Sequence, residues 1–347
     1  MAGHHLDSSA LSEDGLCLEG CPPLVGRSPR FRHLLEDLLL ISSYDVNVLI
    51  EGETGTGKDL LARALHKLSP RRQQPFVSLN CAALPNELAE SELFGHGRGA
   101  FTHAYENRIG IIAEAENGTL FLDEVSSLDL SLQAKLLRFL QDGEYRQLGT
   151  NRLHNSDVRI VAASNKPLPQ EVQEGRFRSD LYFRLAVYHL EAPALRERHD
   201  DIELLVRHFL AKHSKKLSIP PCHLSVDVLS CLASYRWPGN LRELENLVQR
   251  LLIRKSGALL VRSDLPSHIA SASRPSEVIN SQYFKEAKAE VVRRFEYQYF
   301  FDLMTKHRGN ITRAAETAGI HRRALTALLQ KYGIERNSFK APAGRMR

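Results

Sequence analysis

Short apolar segments and amphipathic segments alternate along the first 193 residues of the chain. FRHLLEDLLLIS, KDLLARALHKL and LSLQAKLLRFLQDG place their apolar residues at helical spacing. Between them stand short apolar runs that end in polar residues, as buried strands do: VNVLIEG, PFVSLNC, GTLFLDEV and VRIVAASN. Because strands and helices in alternation form a parallel sheet covered by helices, the pattern predicts an α/β fold.

Beyond Pro193 the strand-like runs stop and only helical patterns follow. DDIELLVRHFLAKHSKKL, SVDVLSCLASYRW and NLRELENLVQRLLIRK are amphipathic, which predicts an all-helical lid. The Ser-rich run SASRPSEVINS predicts a linker, and a second helical unit follows it. The expected segments are a flexible tail at 1–22, the α/β subdomain at 23–193, the helical lid at 194–270, the linker at 271–281, an all-α domain at 282–336 and a polar tail at 337–347.

The composition argues against a membrane or secreted protein. Hydrophobic residues make up 43% of the chain, but no apolar run is long enough to cross a bilayer. The start, MAGHHLDSSALSEDG, lacks the charged and apolar regions of a signal peptide. The five cysteines are scattered and odd in number, and Cys17 and Cys21 have no second pair at metal-ligand spacing. We therefore predict a cytoplasmic protein with reduced thiols and no membrane partner.

The charge of the chain is unevenly distributed. The net charge is +5, yet residues 285–347 hold 14 Lys and Arg against 6 Asp and Glu, an excess of +8 that leaves −3 for the rest. A basic end on a slightly acidic body favours an appended unit that binds nucleic acid. A solvated basic tail shows the same excess, so charge alone does not decide between the two.

A glycine-rich segment, GETGTGKD, follows the first strand candidate and opens the next helix. Its GxxxxGK spacing is that of a P-loop, whose backbone N–H groups and helix N-terminus bind phosphates. Lys58 would reach the β- and γ-phosphates, whereas Asp59 stands where most such loops have a hydroxyl for magnesium. The residues expected to bind the nucleotide are Gly52, Glu53, Thr54, Gly55, Thr56, Gly57, Lys58 and Asp59.

Two adjacent carboxylates end the strand candidate GTLFLDEV. Asp123 can hold Mg²⁺, directly or through water, and Glu124 can orient and deprotonate an attacking water. A lone Asp-Glu pair more often begins a helix. Here the pair follows a phosphate loop along the chain, and the two motifs together predict nucleotide hydrolysis with Mg²⁺.

The segment 308–334, RGNITRAAETAGIHRRALTALLQKYGI, has the pattern of a helix-turn-helix. Asn310 can cap its first helix, and Gly319 can make the turn before a second helix at about 321–331. The apolar face of the second helix holds Leu325, Leu328 and Leu329. Its outer face offers hydrogen-bond donors for double-stranded DNA, from Arg322, Arg323, Thr326 and Gln330. A helical hairpin with no role in DNA binding has the same pattern.

Four strings together resemble the AAA+ domain of bacterial sigma-54-dependent transcription activators: SELFGHGRGAFTHA, GTLFLDEV, FRSDLYFRL and WPGNLRELEN. They occur in the order found in that family, and the resemblance covers Leu24 to Ser267. The C-terminal helical pair resembles the Fis-type DNA-binding domain that these activators carry. The resemblance implies an AAA+ P-loop sheet with an α-helical lid, and an active ring of six subunits.

Two asparagines acquire roles from this resemblance. Asn80 corresponds to the asparagine that holds the catalytic Glu124 until the nucleotide state releases it. A cap for the segment that follows is the other interpretation of Asn80. Asn165 corresponds to the sensor that reports the γ-phosphate from the end of the next strand.

Three arginines also acquire roles. Arg178 and Arg184 correspond to fingers that reach the nucleotide of the neighbouring subunit, where a guanidinium stabilises charge on the transferred phosphoryl group. Surface ion pairs are the alternative for both. Arg242 corresponds to the lid arginine that senses nucleotide, and Trp237 near it is expected in the core. Fingers that act on a neighbour require a homo-oligomer.

The string GRGAFTHA places an aromatic residue in a stretch with no helix or strand period. In the family this loop usually reads GAFTGA, and its Phe and Thr contact sigma-54. The resemblance therefore implies a sigma-54 contact made by Gly99, Ala100, Phe101, Thr102, His103 and Ala104. His103 replaces the usual glycine, adds bulk and accepts a positive φ less easily.

We predict a bacterial activator that binds upstream, enhancer-like DNA sites, hydrolyses ATP and remodels the closed complex of sigma-54 RNA polymerase holoenzyme to open promoter DNA. The first alternative is an AAA+ DNA-binding regulator that does not engage sigma-54 because of His103. The second, an unfoldase or clamp-loader-type machine, leaves the helix-turn-helix unexplained. We expect no receiver domain, because the 22 residues before the ATPase are too few to form one. We therefore expect control by a regulatory partner protein or through expression.

Overall fold

The computed structural model describes residues 11–83, 85–100, 106–271, 292–293, 296–297, 299–301, 303–307 and 309–334. The chain divides into two compact units, the first made of 1–221 with 236–256 and the second of 222–235 with 257–347. The predicted lid is thus divided between them. Its first and third helices group with the α/β subdomain, and its second helix groups with the C-terminal domain.

The strands, in chain order, are β1 (Leu11–Ser12), β2 (Gly15–Leu16), β3 (Leu24–Val25), β4 (Val48–Glu51), β5 (Phe76–Asn80), β6 (Gly95–His96), β7 (Arg108–Ile109), β8 (Thr119–Asp123), β9 (Glu144–Arg146), β10 (Leu153–Asn155), β11 (Arg159–Ser164), β12 (Tyr188–Glu191), β13 (His223–Leu224) and β14 (Leu259–Leu260). The helices whose bounds are described are α1 (Pro29–Ser42), α2 (Lys58–Leu68), α3 (Asn86–Phe94), α4 (Ile111–Glu114), α5 (Leu130–Asp142), α6 (Leu168–Gln173), α7 (Ser179–Leu185), α8 (Ile202–Leu217), α9 (Val226–Ser234), α10 (Asn240–Arg254), α11 (Ser267–Ala270), α12 (Ile311–Ala318) and α13 (Arg322–Lys331).

A five-stranded parallel sheet forms the centre of the first unit, in the order β12-β4-β11-β8-β5. Val48 lies opposite Val161 in the β4–β11 pair, and Leu120 lies opposite Ile160 in the β8–β11 pair. All six residues of β11 are buried, as expected of a central strand covered on both faces. The predicted parallel α/β fold is confirmed.

The two faces of the sheet pack against different helices. Leu49 belongs to a core built with α3, α4, α5, α6 and α7, whereas Val48 and Ile50 belong to a core built with α1 and α2. This follows from the alternation of side chains along a strand. The arrangement leaves the carboxyl ends of β4, β8 and β11 at one edge, where open α/β sheets bind their ligands.

Residues 11–25 form a three-stranded antiparallel sheet, β1-β2-β3. The prediction of a flexible tail at 1–22 is therefore wrong for residues 11–22, while residues 1–10 lie outside the described part of the chain. Leu16 and Leu24 lie opposite one another and are buried in the core that contains α1, so a few apolar residues anchor a mostly polar segment. A Cβ at Gly15 would lie 2.0 Å from the Leu24 carbonyl oxygen, so this pairing requires glycine.

The second unit contains a pair of parallel two-residue strands, β13 and β14, in a region predicted as entirely helical. That prediction is wrong at these four residues, because two residues are too few to produce a strand period in the sequence. Helix α9 begins directly after them, where the Ser225 hydroxyl accepts a hydrogen bond from the Val228 N–H. The predicted linker, apart from Ser271, and the predicted tail at 337–347 lie outside the described residues.

Helices α12 and α13 form the predicted helical pair. The Asn310 side chain accepts hydrogen bonds from two N–H groups in the first turn of α12, and Gly319, with φ 66°, ends this helix. Leu325 and Leu329 are buried in a core with Ala315, and Leu328 packs beside it. In the parts of the chain that the structure describes, no helix has the length and apolar character needed to cross a membrane.

Candidate active site

The phosphate loop connects β4 to α2 at the carboxyl edge of the sheet. Gly52, Gly55 and Gly57 have φ values of 156°, 81° and 93°, which favour glycine. A Cβ at Gly55 would lie 2.4 Å from the Gly239 carbonyl oxygen, so this glycine also permits the segment before α10 to approach the loop. The backbone has the turn, and the following helix N-terminus, that phosphate binding requires.

Lys58, the first residue of α2, is buried against the loop. Its Nζ donates hydrogen bonds to the carbonyl oxygens of Gly52 at 2.7 Å and Glu53 at 3.1 Å. Burial lowers the pKa of Lys58, and the negative charges of Asp123 and Glu124 act in the opposite direction. The loop and the two carboxylates thus hold the ammonium group where phosphate oxygens would bind.

Asp123 is the last residue of β8 and Glu124 follows it, and β8 lies two strands from β4 in the sheet. Burial raises the pKa of Asp123, the positive charge of Lys58 lowers it, and the charge of Glu124 raises it. Glu124 has φ 54°, a left-handed conformation that is uncommon for a residue with a side chain, and its N–H donates to Asp123 Oδ1 at 3.0 Å. Strain of this kind is concentrated at functional sites. The structure brings both carboxylates and Lys58 together.

The two predicted asparagines lie at the ends of β11 and β5. Asn165 Nδ2 donates to the hydroxyl of Thr54 in the phosphate loop, at 3.4 Å. Asn80 lies opposite Asp123 in the β5–β8 register, and its Oδ1 accepts a hydrogen bond from the Ala82 N–H at 2.9 Å. This contact stabilises the turn after β5, in line with the capping interpretation of Asn80. Asn165 therefore contacts the phosphate loop directly. Asn80 is connected to the site by the pairing of β5 with β8, in which it lies opposite Asp123.

Glu53 connects the loop to the segment after β12. It forms a two-bond ion pair with the Arg196 guanidinium, at 2.7 and 2.8 Å. Hydrogen bonds from Arg196, and then from Asn240, lower the pKa of Glu53. The Thr56 hydroxyl donates to the Glu53 carbonyl oxygen at 2.8 Å, which closes the loop. Glu53 thus links the phosphate loop to Arg196 and Asn240 in this structure.

Asn240 is a site residue that the sequence analysis missed. Its side chain is fully buried, and its Nδ2 donates to the Thr54 carbonyl oxygen at 3.0 Å and to Glu53 Oε2 at 3.2 Å. Its Oδ1 accepts from the Leu195 N–H at 2.8 Å. The signal in the sequence was its place in WPGN, where a turn with φ 50° suits asparagine. Trp237 in the same turn is fully buried, as predicted.

A cavity of about 320 Å³ opens beside the phosphate loop. It is bounded by the loop, the N-terminal segment, and helices α8 and α10. Its lining comprises Pro22, Pro23, Leu24, Val25, Phe31, Gly55, Thr56, Gly57, Asp59, Leu60, Leu61, Arg198, Leu205, His208, Phe209, Lys212, Leu241, Arg242 and Glu245. Predicted residues Asp59 and Arg242 are among them. An apolar cavity that ends at a phosphate loop suits a nucleotide base.

A buried ion pair supports one wall of this cavity and was also missed. Arg198 Nε donates to Asp201 Oδ2 at 2.9 Å, and both side chains are almost completely buried. The Arg198 guanidinium stacks on Phe31, 3.7 Å from the ring centroid, and donates to the Val25 carbonyl oxygen. The N–H of Ser28 donates to the same aspartate at 2.8 Å. Contacts from Arg198 and Asp201, in the segment after β12, therefore hold residues 25–31 in place.

Arg178 precedes α7 and Arg184 lies in its last turn, and both side chains are exposed. The Arg178 guanidinium pairs with Asp180 at 2.8 Å, which is the alternative that the sequence left open. Arg184 Nε donates to the Leu140 carbonyl oxygen at 3.0 Å and so caps the end of α5. Within the described residues, neither guanidinium has a hydrogen bond to the phosphate loop of its own chain.

The sigma-54 loop is described only at its start. Phe101, Thr102, His103 and Ala104 lie outside the described residues. Gly99 has φ 82°, and Ala100 N–H donates to the Gly97 carbonyl oxygen at 3.2 Å. A Cβ at Gly149 would lie 2.6 Å from the Ala100 Cβ, so the loop between β9 and β10 packs directly on this base.

The predicted DNA-contacting residues lie on α13, in the second unit. Arg322, Arg323 and Gln330 are exposed. Thr326 is half-buried, and its hydroxyl donates to the Arg322 carbonyl oxygen at 3.0 Å. Two positive charges thus stand in the first turn of a helix whose other face is buried.

Comparisons with known proteins match three successive parts of the chain. The family model described as "Sigma-54 interaction domain" matches residues 24–191. "AAA+ ATPase lid domain" matches 196–282, and "Bacterial regulatory protein, Fis family" matches 291–332.

Curated relatives cover most of the chain. The regulatory protein AtoC of Escherichia coli K12 is 42% identical over 313 residues, which are 90% of this chain and 68% of that protein. ZraR of the same strain is 42% identical over 309 residues, 89% of this chain and 68% of that protein. The anaerobic nitric oxide reductase transcription regulator NorR of Aeromonas salmonicida is 50% identical over 234 residues, 67% of this chain and 46% of that protein.

Solved structures of NtrX from Brucella abortus have the same fold. The complex with ATP matches with a TM-score of 0.67, and the complex with ADP with a TM-score of 0.66. Both are 34% identical and cover 89% of this chain and 69% of NtrX. Together with the P-loop site and the helix-turn-helix, these matches establish that the chain belongs to the sigma-54-dependent transcriptional activators, with an ATP-binding AAA+ domain and a Fis-type DNA-binding domain.

Proposed function

We propose that this chain hydrolyses ATP to ADP and phosphate and uses the reaction to remodel sigma-54 RNA polymerase holoenzyme at upstream-activated promoters. The observation that carries the proposal is the grouping of Lys58, Asp123 and Glu124 at the carboxyl edge of the sheet, beside the loop 52–57. Lys58 would bind the β- and γ-phosphates. Glu124 would accept the proton of the attacking water, and Asn165 would sense the γ-phosphate from beside Thr54.

The donor set fits Mg²⁺ bound together with the nucleotide. Mg²⁺ is usually held by one or two carboxylates together with substrate phosphates and water. Among the described residues, no group of three or more His, Cys, Asp or Glu could hold a metal by itself. Asp123 would supply the protein ligand, and the ion would neutralise charge on the β- and γ-phosphates.

The active form would be a homo-oligomer, in keeping with a hexamer. In the described part of the chain, Arg178 and Arg184 have no hydrogen bond to their own phosphate loop, and both are exposed, which suits fingers that act on a neighbouring subunit. On assembly, the Arg184 guanidinium would leave the Leu140 carbonyl oxygen of α5 and bind a phosphate of the neighbouring subunit's nucleotide. The roles of Asn80 as a switch for Glu124 and of Arg242 as a sensor in the cavity belong to the same proposal, as does control by a regulatory partner protein.

The loop Gly99–Ala104 would contact sigma-54 through Phe101 and Thr102, and Arg322 and Arg323 would hold the chain on double-stranded DNA. Ala100, at the described start of the loop, packs against Gly149, so a shift of Gly149 would move the loop. ATP-dependent changes in the site would then favour one position of the loop over another.

Two variants test the ATPase. Lys58→Ala should abolish ATP binding, because the variant loses the ammonium group at the phosphate site. Glu124→Gln should still bind ATP but lose hydrolysis by about 10²–10⁴-fold, the usual contribution of a general base. Wild-type hydrolysis that persists in Glu124→Gln would contradict the role given to this residue.

A further inference from the structure

The ion pair of Glu53 and Arg196 connects the phosphate loop to the segment after β12 through two exposed side chains. The Arg196 side chain is 44% exposed and that of Glu53 is 43% exposed, although the guanidinium donates to both carboxylate oxygens, at 2.7 and 2.8 Å. Ion pairs with this exposure contribute little to the stability of a fold. Stability alone therefore does not account for a two-bond contact at this position.

Arg196 lies in a short segment that buried neighbours hold in place. The residue before it, Leu195, is buried, and the Leu195 N–H donates to Asn240 Oδ1 at 2.8 Å. Two residues after it, Arg198 is buried in its ion pair with Asp201. The exposed Arg196 side chain thus extends from a fixed backbone, which is the kind of support that holds a functional group in one position.

Glu53 connects this guanidinium to the phosphate-binding lysine. The Glu53 carboxylate binds Arg196, while the Glu53 carbonyl oxygen accepts hydrogen bonds from Lys58 Nζ at 3.1 Å and from the Thr56 hydroxyl at 2.8 Å. The hydrogen bond from Arg196 is the main cause that lowers the pKa of Glu53, so the carboxylate stays charged at neutral pH. A shift of Glu53 would therefore disturb the contacts that place the Lys58 ammonium.

The start of the loop is held in a different way. A Cβ at Gly52 would lie 2.6 Å from the Ala192 carbonyl oxygen, and the Ala192 N–H donates to the Glu51 carbonyl oxygen at 2.7 Å. Gly52 is thus held by the backbone of the segment after β12. The next residue, Glu53, is held by an ion pair whose exposed side chains can separate and close again.

We propose that Arg196 is a positioning residue for ATP: through Glu53 it holds the phosphate loop in the conformation that binds the β- and γ-phosphates. With the pair formed, the loop has this conformation before ATP binds. Without the pair, part of the binding free energy goes into ordering the loop, and the apparent affinity falls with the fraction of molecules that are competent to bind. The inference rests on the proposed ATP site and adds a residue that lies outside the phosphate loop.

The test is a calorimetric titration of ATP into the full chain. Arg196→Met removes the guanidinium and should weaken ATP binding about fivefold, the upper end of what an exposed ion pair contributes. Arg207→Met is the matched control, because Arg207 forms an exposed ion pair with Glu203 at 2.8 Å that joins two residues of one helix, α8. The control should bind ATP as wild type does. Wild-type affinity in Arg196→Met would overturn the proposal, as would an equal loss in Arg207→Met.

A cycle of single and double variants shows whether Arg196 acts through Glu53. Glu53→Gln removes the charge and one of the two acceptor oxygens, and it should also weaken ATP binding. If the two residues act as a unit, Glu53→Gln combined with Arg196→Met should bind ATP about as the weaker single variant does. Losses that multiply, to about 25-fold for two fivefold effects, would mean that the residues act independently and would contradict the proposal.

Two further measurements distinguish positioning from a general loss of structure. Without nucleotide, the melting temperature of Arg196→Met should stay within about 2 °C of wild type, because the pair is exposed. In steady-state hydrolysis the change should appear in KM rather than kcat, because the loop holds the phosphates in the ground state and the transition state alike. A larger drop in melting temperature, or a fall in kcat at unchanged KM, would refute the positioning role. Failure of the wild-type chain to bind ATP would count against the proposed function instead.

Discussion

The Asn240 side chain donates to the Thr54 carbonyl oxygen at 3.0 Å, so α10 begins with a hydrogen bond into the phosphate loop. The Leu241 N–H adds a second bond, to the Gly55 carbonyl oxygen at 2.9 Å. The helix that carries Arg242 is therefore fixed to the loop by its own first residues. A change in the conformation of the loop on nucleotide binding will therefore shift the first residues of α10.

Replacing Asn240 by Ala should weaken ATP binding and lower the melting temperature. The variant loses the bonds to the loop and leaves the Leu195 N–H buried without its acceptor, at a cost of about 1–3 kcal/mol. Asn240→Gly is the matched control, because glycine accepts φ 50° and the two variants then differ in backbone strain alone. Calorimetry with ATP and thermal unfolding measure both effects. Unchanged ATP affinity in both variants would show that Asn240 does not hold the loop.

Gly149→Ala should impair activation while ATP hydrolysis is retained. The added methyl would lie 2.6 Å from the Ala100 Cβ and would displace the base of the sigma-54 loop. Gly175→Ala is a close control, because Gly175 has φ 73° against 72° for Gly149 and has no atom within 4 Å of its Cβ position. Promoter opening and ATPase rate are measured for both. Equal losses of promoter opening in the two variants would mean that backbone strain, and not the contact with Ala100, is responsible.

The parts of this structure that follow from the sequence are those with local signals. The glycines of the phosphate loop, the strand that ends in Asp123 and the Asn310 cap each occupy a few adjacent residues. Asn240 meets Thr54 from 186 residues away, and Gly149 meets Ala100 from 49 residues away. These contacts arise from packing between segments that are distant in the sequence, and the periodicity of hydrophobic residues within a segment does not predict them. The N-terminal sheet was missed for another reason: each of its strands has only two residues, and Leu16 and Leu24 are apolar residues in a polar stretch.

The pair of His189 and Glu51 should make stability depend on pH. His189 Nε2 lies 3.0 Å from Glu51 Oε2, and this hydrogen bond raises the pKa of His189, although desolvation lowers it. Because the pKa is raised in the folded state, the stabilisation is complete below about pH 6.5, the unfolded reference value, and is lost as the pH rises through the folded pKa. The melting temperature of wild type should therefore exceed that of His189→Gln by more at acidic than at alkaline pH. A difference that grows toward alkaline pH would contradict this assignment.

Arg322→Ala and Arg323→Ala should each reduce the salt dependence of binding to a DNA duplex. Loss of one phosphate contact lowers the slope of log K against log salt by about 0.9. Thr326→Ala should leave the slope unchanged, because its hydroxyl donates to the Arg322 carbonyl oxygen within the helix. Fluorescence anisotropy over a series of salt concentrations gives the slopes. If both arginine variants kept the wild-type slope, α13 would not be the surface that binds DNA phosphates.

The most direct measurement of the central claim is promoter opening by purified sigma-54 RNA polymerase holoenzyme, with this protein and ATP, followed by permanganate footprinting of the melted DNA. Wild-type protein should give open complexes, and Lys58→Ala should give none. If wild-type protein hydrolyses ATP and binds the DNA but opens no promoter, the claim that it remodels sigma-54 RNA polymerase is contradicted.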